Sequence, residues 1–486
     1  MRPVDVLCGF YFFPRGGSAY VTRYLGLHLP AERARMRLIT GSLGAAGEIS
    51  HAGSFFADLA DVRTVDYTAA AGCYQRGDDP LLAPVPFHAS YEFRGAVPDR
   101  LFAAAGPRML AHQQQFWGRQ FQQAGIGGAD VVHLNHLTPQ LGAGLDSGRP
   151  VIAHLHGTEL KFLHQCLREG ERCGPHAAMW VDYVRAHVPR VARLIAVSAD
   201  DATAAAEILR VSPHDIDTIP NGVDLAEFAR QPLSEDERRA QWRRWLVTDP
   251  LGWDESGRPG SVHYTESDLD ALIPTGAART LVLAVTRFLA FKRMDWLLDS
   301  WARTQSCRPP STLVIWGGFP GEWEGEHPVS QARRLGLDTV LFTGFRGHED
   351  LSVAMSCTDL LVNTSAREPF GLAPLQAMAA TVPVLAAAAG GPAMYVRDGH
   401  SGWLFDPDDP AHLDKYLIDA LASPAELARR GSNAAGDAAA YSWHRIADTF
   451  ADLYTEVART APAARHPVTA RVRERQPGPV TQAGTL

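Results

Sequence analysis

Short, almost wholly apolar runs recur along the chain, and apolar residues at helical spacing fill the stretches between them. Apolar runs of this kind are typical of strands that are buried on both faces of a parallel sheet. In the first half, the predicted strands cover residues 4–13, 36–40, 130–134, 151–155 and 194–197, with a strand end near Ile219. This alternation predicts a doubly wound parallel sheet that fills roughly the first 220 residues.

A second series of the same kind begins at Thr280. Its predicted strands cover residues 281–286, 312–316, 340–343, 360–363 and 384–387. The simplest architecture is therefore two Rossmann-like domains, residues 1–222 and 223–440. Residues 441–459 are predicted to form a final amphipathic helix, and residues 460–486 have the composition of a disordered tail.

Two segments depart from this alternation. Residues 53–97 are loop-rich, and no strand or helix is assigned there. Residues 231–273 form an insert, in which Ser234 and Glu237 make a capping box for a helix over 234–247. The polar stretch 253–273, with its glycines and proline, is predicted to be a surface loop.

The composition is that of a soluble globular protein with two or three cores: 486 residues, 46% apolar and 21% charged. The net charge of −8 argues against nucleic-acid binding, and it makes membrane association through arginines near the first helix a minor alternative. No apolar run approaches the roughly 20 residues of a membrane span. Six cysteines in so long a chain predict no disulfide framework and a cytoplasmic location.

The segment from Glu368 to Gln376 carries the strongest chemical signal. It follows the predicted strand 360–363, and Pro369 suits the first turn of a helix. Glu368 is therefore expected in the crevice at the carboxyl end of a parallel strand, where open α/β sheets bind ligands. A helix N-terminus there would attract a diphosphate, and the carboxylate could accept from two neighbouring sugar hydroxyls. The alternative is an ordinary strand–turn–helix with a solvated glutamate.

Arg287 and Lys292 follow the first strand of the second series and would face the same crevice. Fixed positive charge in a water-poor cleft stabilises a departing phosphate; Arg can bind it through two parallel hydrogen bonds and Lys as a point charge. Lysine occurs only three times in the chain, so its use at position 292 indicates a chemical requirement. The alternative is a solvated loop.

Gly16 and Gly17 follow the predicted strand 4–13. Two glycines between a strand and a helix let the backbone approach a phosphate or a sugar closely. A tight turn without a ligand is the alternative.

Taken in order, these segments resemble those of the family 4 retaining glycosyltransferases. The likeness rests on the spacing from Glu368 to position 376, on Arg287 with Lys292, and on motifs at 14–17, 156–157, 219–224, 317–318 and 441–443, which together span about 440 residues. The resemblance implies a GT-B fold, in which two Rossmann-like domains face each other across a cleft and the C-terminal helix crosses back. It also implies a nucleotide-diphospho-sugar donor in the second domain, an acceptor in the first, and transfer with retention, usually without a metal or other cofactor.

The resemblance assigns roles residue by residue. Arg287 and Lys292 would hold the diphosphate, and Glu368 would hold hydroxyls of the donor sugar. His156 would lie beside the reacting sugar, and Gly17 would touch the diphosphate from across the cleft. The other donor-binding positions are Gly16, Gly317, Phe345 and Arg346 (the last two framing the base), the backbone of Phe370, Gly371 and Leu372, and Gln376 at the ribose.

Two departures from the family pattern affect these assignments. Gln376 stands where the family has a second glutamate, so one amide oxygen replaces two acceptor oxygens. The neutral hydrogen bond is expected to be weaker by about 1 kcal/mol. Ser18, Ala19 and Tyr20 follow the glycines where many relatives carry Glu-Arg, so acceptor-side contacts do not transfer from the family.

The sequence thus predicts a retaining glycosyltransferase that uses a nucleotide sugar. It leaves open the base, the sugar and the acceptor, which could be a small molecule, a glycan or a lipid-linked compound. The alternatives are another GT-B enzyme, such as a sugar-nucleotide epimerase or a phosphorylase, and a non-catalytic subunit that binds a sugar nucleotide.

Two groups of histidines remain. His164 and His176, with Cys166 and Cys173 between them, have a loosely zinc-like composition, but their spacing matches no familiar zinc site and a plain helix–loop–helix is preferred. The histidines at 133 and 136 either line the acceptor cleft or are buried and hydrogen-bonded.

Overall fold

The computed structural model of the protein describes residues 2–92, 98–276 and 279–460. It contains two parallel sheets, one of seven strands and one of six, whose central strands are buried on both faces. The predicted pair of Rossmann-like, doubly wound sheets is confirmed.

The first sheet is built from the N-terminal half. Its strands are β1 (Val4–Phe10), β2 (Ala34–Ser42), β3 (Val62–Asp66), β4 (Val131–Asn135), β5 (Val151–His154), β6 (Arg193–Ala196) and β7 (Ile216–Thr218). The strand order is β3-β2-β1-β4-β5-β6-β7. The order reverses between β1 and β4, which is the position where open α/β sheets bind their ligands.

The second sheet repeats this topology. Its strands are β8 (Thr280–Thr286), β9 (Ser311–Gly317), β10 (Val340–Gly344), β11 (Leu360–Asn363), β12 (Val384–Ala387) and β13 (Gly402–Phe405). The strand order is β10-β9-β8-β11-β12-β13, so the order reverses between β8 and β11. The loops after these two strands carry Lys292 and Glu368.

Helices cover both faces of each sheet. In the first half they are α1 (Gly17–His28), α2 (Ala52–Phe55), α3 (Thr68–Gln75), α4 (Pro107–Gln123), α5 (Pro139–Leu145), α6 (Thr158–Glu169), α7 (Ala177–His187) and α8 (Ala199–Leu209). In the second half they are α9 (Glu235–Arg243), α10 (Glu266–Leu272), α11 (Met294–Arg303), α12 (Pro328–Arg334), α13 (His348–Ser356), α14 (Leu372–Ala379), α15 (Pro392–Tyr395), α16 (Pro410–Leu421), α17 (Pro424–Ala438) and α18 (Trp443–Thr460).

The last helix, α18, leaves the second domain and packs on the first, against α1 and the strands β1, β2 and β4. Its buried face carries Ile446, Phe450, Tyr454 and Val457, at spacings of three or four residues. Burial of one such side chain is worth roughly 1.5–3 kcal/mol, so α18 ties the two halves of the protein together.

Residues 253–273 form the predicted surface loop only in part: several residues between 254 and 264 are exposed and irregular, whereas the remainder packs on the second domain. Trp253 is buried against Phe288, with ring centroids 5.2 Å apart, and the backbone N–H of Phe342 donates to the hydroxyl of Tyr264 at 2.8 Å. A capping box at Thr265 begins α10. The sequence did not indicate this packing because the few apolar residues of the stretch are too widely spaced to show a period, yet they cover the core of the second domain.

Residues 53–97 also contain more regular structure than the sequence indicated, since β3, α3 and most of α2 lie there. Of the five residues of β3, an edge strand, only Val65 is buried, so the apolar signal is weak. The other predicted strands differ from the observed ones by three residues or fewer at either end. Residues 93–97, and the predicted tail beyond Thr460, lie outside the described residues.

Candidate functional site

A cleft of about 390 Å³ lies between the carboxyl ends of the two sheets. Its walls come from the loops after β1, β4 and β5 in the first domain and after β8, β9, β10 and β11 in the second. The residues predicted for the site all line it: Gly16, Gly17, His156, Arg287, Lys292, Gly317, Phe345, Arg346, Glu368, Phe370, Gly371, Leu372 and Gln376.

Lys292 and Glu368 form an ion pair in this cleft. The Lys292 Nζ lies 2.6 Å from Oε2 of Glu368, each side chain is 14% exposed, and the Ser365 hydroxyl donates to the same oxygen at 2.8 Å. Burial alone would raise the pKa of Glu368, but the ammonium groups of Lys292 and Lys161 lower it to about 2. The carboxylate is therefore ionised, and its Oε1 has no hydrogen-bond partner among the described residues.

Arg287 pairs with a carboxylate from the other domain. Its two terminal nitrogens donate to the two oxygens of Glu92 at 2.6 and 2.8 Å. The Arg287 side chain is 35% exposed and that of Glu92 26%. The guanidinium group expected to hold a diphosphate is thus engaged, in bidentate geometry, by a carboxylate, which like a phosphate offers two acceptor oxygens to it.

Lys161 on α6 is a third cation in the cleft. Its Nζ lies 3.5 Å from the centroid of the Phe291 ring, across the domain boundary. Burial lowers the pKa of Lys161 to about 8, although the Glu368 carboxylate acts to raise it. With Arg287 and Lys292, this residue makes the cleft suitable for an anion that bears more than one charge.

The glycine loop after β1 meets the second domain. A Cβ atom on Gly17, the first residue of α1, would lie 3.3 Å from Cδ1 of Leu372. Beside it, Arg15 forms an ion pair with Glu322 and lies over the Phe319 ring. Gly17 therefore lines a narrow part of the cleft, where a larger side chain would approach the donor motif, whereas a Cβ atom on Gly16 would meet no atom within 4 Å.

Gly317 ends β9 with φ of 119°, a conformation that favours glycine. A Cβ atom here would lie 2.3 Å from the carbonyl oxygen of Thr286, at the end of the neighbouring strand β8. This glycine lets two adjacent strand ends stay close where the cleft begins.

The sequence predicts Pro369 in the first turn of a helix, but α14 begins only at Leu372, so Pro369 lies before the helix. Gly371 precedes it in the left-handed conformation, with φ of 85°, so Glu368 lies outside the helix. Pro369 instead packs against Gly157, where a Cβ atom would lie 2.4 Å from its ring. The glycine of the first-domain motif thus accommodates the proline of the second.

The segment after Glu368 is held by Tyr395. The tyrosine hydroxyl lies 2.9 Å from the carbonyl oxygen of Phe370 and 2.7 Å from that of Gly371. Phe370 is buried under the segment, and Gln376 on α14 is 3% exposed. These contacts fix the backbone that the resemblance assigns to the sugar and phosphate.

The resemblance implied that Arg346 would frame the base, but its guanidinium group is buried within its own domain. Its side chain is 2% exposed and donates to the Asp249 carboxylate at 3.0 Å and to the carbonyl of Trp245 at 3.2 Å. Arg346 therefore anchors the insert. Phe345 stacks on Phe319 with ring centroids 4.5 Å apart, which supplies a flat apolar surface beside the cleft.

His156 follows β5 and is held at two points. Its Nε2 lies 2.9 Å from Oδ1 of Asn135, and its backbone N–H donates to the fully buried Glu159 at 2.9 Å. Burial, together with the nearby imidazoles of His154 and His136, holds the pKa of His156 well below its ordinary value. Because its pKa is lowered, this imidazole is a weak base, although the neutral ring can still form hydrogen bonds with a substrate.

The two histidines of the β4 region have different environments. His133 is fully buried, and its Nδ1 lies 2.5 Å from the Tyr454 hydroxyl on α18. His136 lines the cleft with φ of 66°, and its Nδ1 lies 3.1 Å from the Glu159 carboxylate. One histidine therefore belongs to the core and the other to the site.

The group that resembled a zinc site does not assemble as one. Cys166 and Cys173 lie with their sulfur atoms 3.1 Å apart, but His164 is exposed on α6 and His176 lies against Gly106. Within residues 2–92, 98–276 and 279–460, no group of three or more His, Cys, Asp or Glu side chains is arranged to hold a metal ion. In the same part of the chain, no helix combines the length and the apolar character needed to cross a membrane.

Comparison with known proteins identifies the family. The profile described as Glycosyltransferase Family 4 matches residues 15–227, and the one described as Glycosyl transferases group 1 matches residues 274–437. D-inositol 3-phosphate glycosyltransferases of Streptomyces griseus and Streptomyces coelicolor are each 31% identical, over 67% and 68% of this chain and 66% and 69% of their own lengths. The chain belongs to glycosyltransferase family 4. It spans about two thirds of the length of these relatives.

Solved structures agree on the fold of this family 4 member. Anabaena Alr3699/HepE, in complex with UDP and glucose, has a TM-score of 0.62 at 19% identity and covers 93% of this chain and 100% of its own. Sucrose-phosphate synthase from Thermosynechococcus elongatus has a TM-score of 0.63 at 20% identity and covers 94% and 99%. The GT-B fold predicted from the sequence is confirmed.

Several residues of the site were not predicted. Lys161 had one signal, the scarcity of lysine, and Glu159 lies in the first turn of a helix next to the His156 motif. Glu92 had no signal, because it lies in a segment without periodicity and its partner is 195 positions away. Charge pairing between domains depends on tertiary structure that local pattern does not encode.

Proposed function

We propose that this protein transfers a sugar from a nucleotide-diphospho-sugar to a hydroxyl group of an acceptor. The proposal is carried by one observation: the cleft of a family 4 fold brings Arg287, Lys292 and Glu368 together. Two cations and a carboxylate at one site suit a diphosphate joined to a ring that bears hydroxyl groups.

The roles follow from the contacts. Lys292 is fixed by Glu368 and can stabilise the charge that builds on the departing phosphate. Arg287 can bind the diphosphate through two parallel hydrogen bonds once its ion pair with Glu92 is broken. Glu368 keeps Oε1 available to sugar hydroxyls. Gln376 lines the same cleft and is assigned to the ribose in this proposal.

For the stereochemistry we propose retention by same-face attack. The acceptor oxygen forms a bond to the anomeric carbon as the bond from that carbon to the phosphate oxygen breaks, and the acceptor proton passes to the departing phosphate. Among the described residues that line the cleft, the carboxylates are Glu92 and Glu368, and both are ion-paired, which disfavours a covalent intermediate. In this proposal His156 forms a hydrogen bond to the sugar and does not act as a general base. Near-normal turnover in an His156→Ala variant would remove His156 from the mechanism.

The names of the relatives and neighbours supply candidate substrates. Two relatives are D-inositol 3-phosphate glycosyltransferases, so a phosphorylated cyclitol is the first acceptor to test, and a solved neighbour holds UDP and glucose.

Hexosyl transfer without a metal is part of the proposal. All six cysteines are free thiols, which is typical of a reducing cytoplasm.

The test is a transfer and donor-hydrolysis assay with UDP-, GDP-, ADP- and TDP-sugars, with chelator present and absent. We expect one nucleotide class to be consumed with the anomeric configuration retained in the product, and turnover to fall at least about 100-fold in Lys292→Ala. Lys415→Ala is the matched control, because Lys415 lies over Tyr416 and outside the cleft. Binding of a sugar nucleotide without turnover would favour a binding subunit, and release of an epimerised nucleotide sugar would favour an epimerase.

A further inference from the structure

Asn135, the last residue of β4, has an amide group whose orientation is fixed. It is buried, and its Nδ2 donates to the carbonyl oxygen of Gly9 at 3.2 Å and to Sγ of Cys8 at 3.4 Å. The opposite orientation would place Oδ1 against the Gly9 carbonyl, so that two acceptors would face each other without a proton. The amide oxygen therefore points to His156, whose Nε2 lies 2.9 Å away.

This orientation determines the protonation of the His156 ring. An amide oxygen only accepts hydrogen bonds, so Nε2 of His156 must carry the proton. Burial and the neighbouring imidazoles of His154 and His136 hold the pKa of His156 low, and the ring is neutral. In a neutral imidazole with a proton on Nε2, Nδ1 carries a lone pair.

The remaining ring nitrogen is available to the cleft. The backbone N–H of His156 is tied to Glu159, which fixes where the residue sits on the loop after β5. Nδ1 has no hydrogen-bond partner among the described residues, it is not closed off from solvent, and His156 lines the same cleft as Glu368. Two groups that only accept hydrogen bonds, Nδ1 of His156 and Oε1 of Glu368, therefore belong to residues that line the cleft in which we propose that the donor sugar binds.

We propose that Asn135 is a positioning residue that locks His156 as a hydrogen-bond acceptor, so that the sugar subsite requires a hydroxyl donor at His156. The inference rests on the proposed function for the substrate class. It concerns sugars that present a free hydroxyl at this point, as opposed to sugars in which that hydroxyl is missing or replaced by a group that cannot donate. Asn135 itself touches no substrate and acts through the imidazole.

A spectroscopic test needs no turnover. With ¹⁵N-labelled histidine, long-range ¹H–¹⁵N spectra distinguish the two neutral tautomers, and His156→Gln identifies the signals of residue 156. We expect the Nε2–H form in the wild type and a mixture of forms in Asn135→Leu. A wild-type ring with its proton on Nδ1, or a charged ring at neutral pH, would overturn the inference even if the protein is a glycosyltransferase.

A kinetic test uses donor sugars in which one hydroxyl at a time is replaced by fluorine, which can accept but cannot donate. For the hydroxyl held by His156, replacement by fluorine should lower kcat/KM about tenfold in the wild type, and this loss should be smaller in Asn135→Leu. An equal penalty in the wild type and Asn135→Leu would refute the lock, whereas absence of turnover with every nucleotide sugar would refute the proposed function and leave the spectroscopic result standing.

Discussion

Glu92 pairs with the guanidinium group of Arg287, to which we assign the donor diphosphate, and this makes Glu92→Gln an informative substitution. The carboxylate of Glu92 and the diphosphate would bind the same two terminal nitrogens of Arg287. If Arg287 holds the diphosphate, donor binding must break this bidentate ion pair between the domains. If the pair is weakened in the free protein, the same donor should bind more tightly, because less ion-pair free energy is lost when it binds.

The size of the effect can be worked out from the geometry. Two unit charges about 4 Å apart attract by about 4 kcal/mol at an effective dielectric constant of 20. With Arg287 35% exposed and Glu92 26% exposed, solvent screening and side-chain entropy reduce the net value to the upper end of the range for exposed pairs, about 1 kcal/mol. Since about 1.4 kcal/mol corresponds to a factor of ten, Glu92→Gln should lower the Kd of a nucleoside diphosphate about fivefold.

The assay is calorimetric titration of wild type and Glu92→Gln with UDP, GDP, ADP and TDP, using the nucleotide that binds. Asp200→Asn is the control: Asp200 pairs with Arg367 across the domains at 3.5 Å, and neither residue lines the cleft. We expect the control to leave Kd unchanged. Weaker or equal nucleotide binding in Glu92→Gln would refute the competition, and an equal gain in Asp200→Asn would attribute the effect to looser domain packing.

Further predictions concern three residues of the cleft. Lys292→Ala should lower turnover at least about 100-fold while Lys415→Ala does not, as measured by product formation. Gln376→Glu should restore a charge-assisted hydrogen bond to the ribose and lower the donor KM about fivefold. In the folded protein the pKa of Lys161 is lowered from 10.5 to about 8, so between these pH values the unfolded chain binds more protons than the folded one. The free energy of unfolding should therefore rise with pH in this range. Lys161→Met should flatten that rise, as measured by urea unfolding.

The sequence was sufficient for features that depend on local pattern. Strands buried on both faces, such as β11 and β12, stand out as apolar runs, and their predicted limits match the observed ones. The meeting of Lys292 with Glu368 also followed from local information, because the carboxyl ends of neighbouring parallel strands lie at one edge of a sheet.

The remaining features depend on contacts that the pattern does not contain. Arg346 was expected at a base, but Asp249, 97 positions earlier, takes its guanidinium group because the insert packs beside it. Pro369 was expected inside a helix, but Gly371 delays the helix and lets the proline pack on the first domain. In both cases a residue type allowed two environments, and tertiary packing selected the one that local propensity did not favour.

The two cations expected at the diphosphate differ in a way that bears on how the site works. Lys292 is neutralised by Glu368 within its own domain, and both side chains are nearly buried, so this pair can stay intact when a donor binds. Arg287 is neutralised by Glu92, which belongs to the other domain. If the diphosphate displaces Glu92 as proposed, donor binding removes one link between the domains while α18 keeps another. On this proposal, the position of the first domain relative to the second, and with it the acceptor wall of the cleft, is coupled to the presence of the donor.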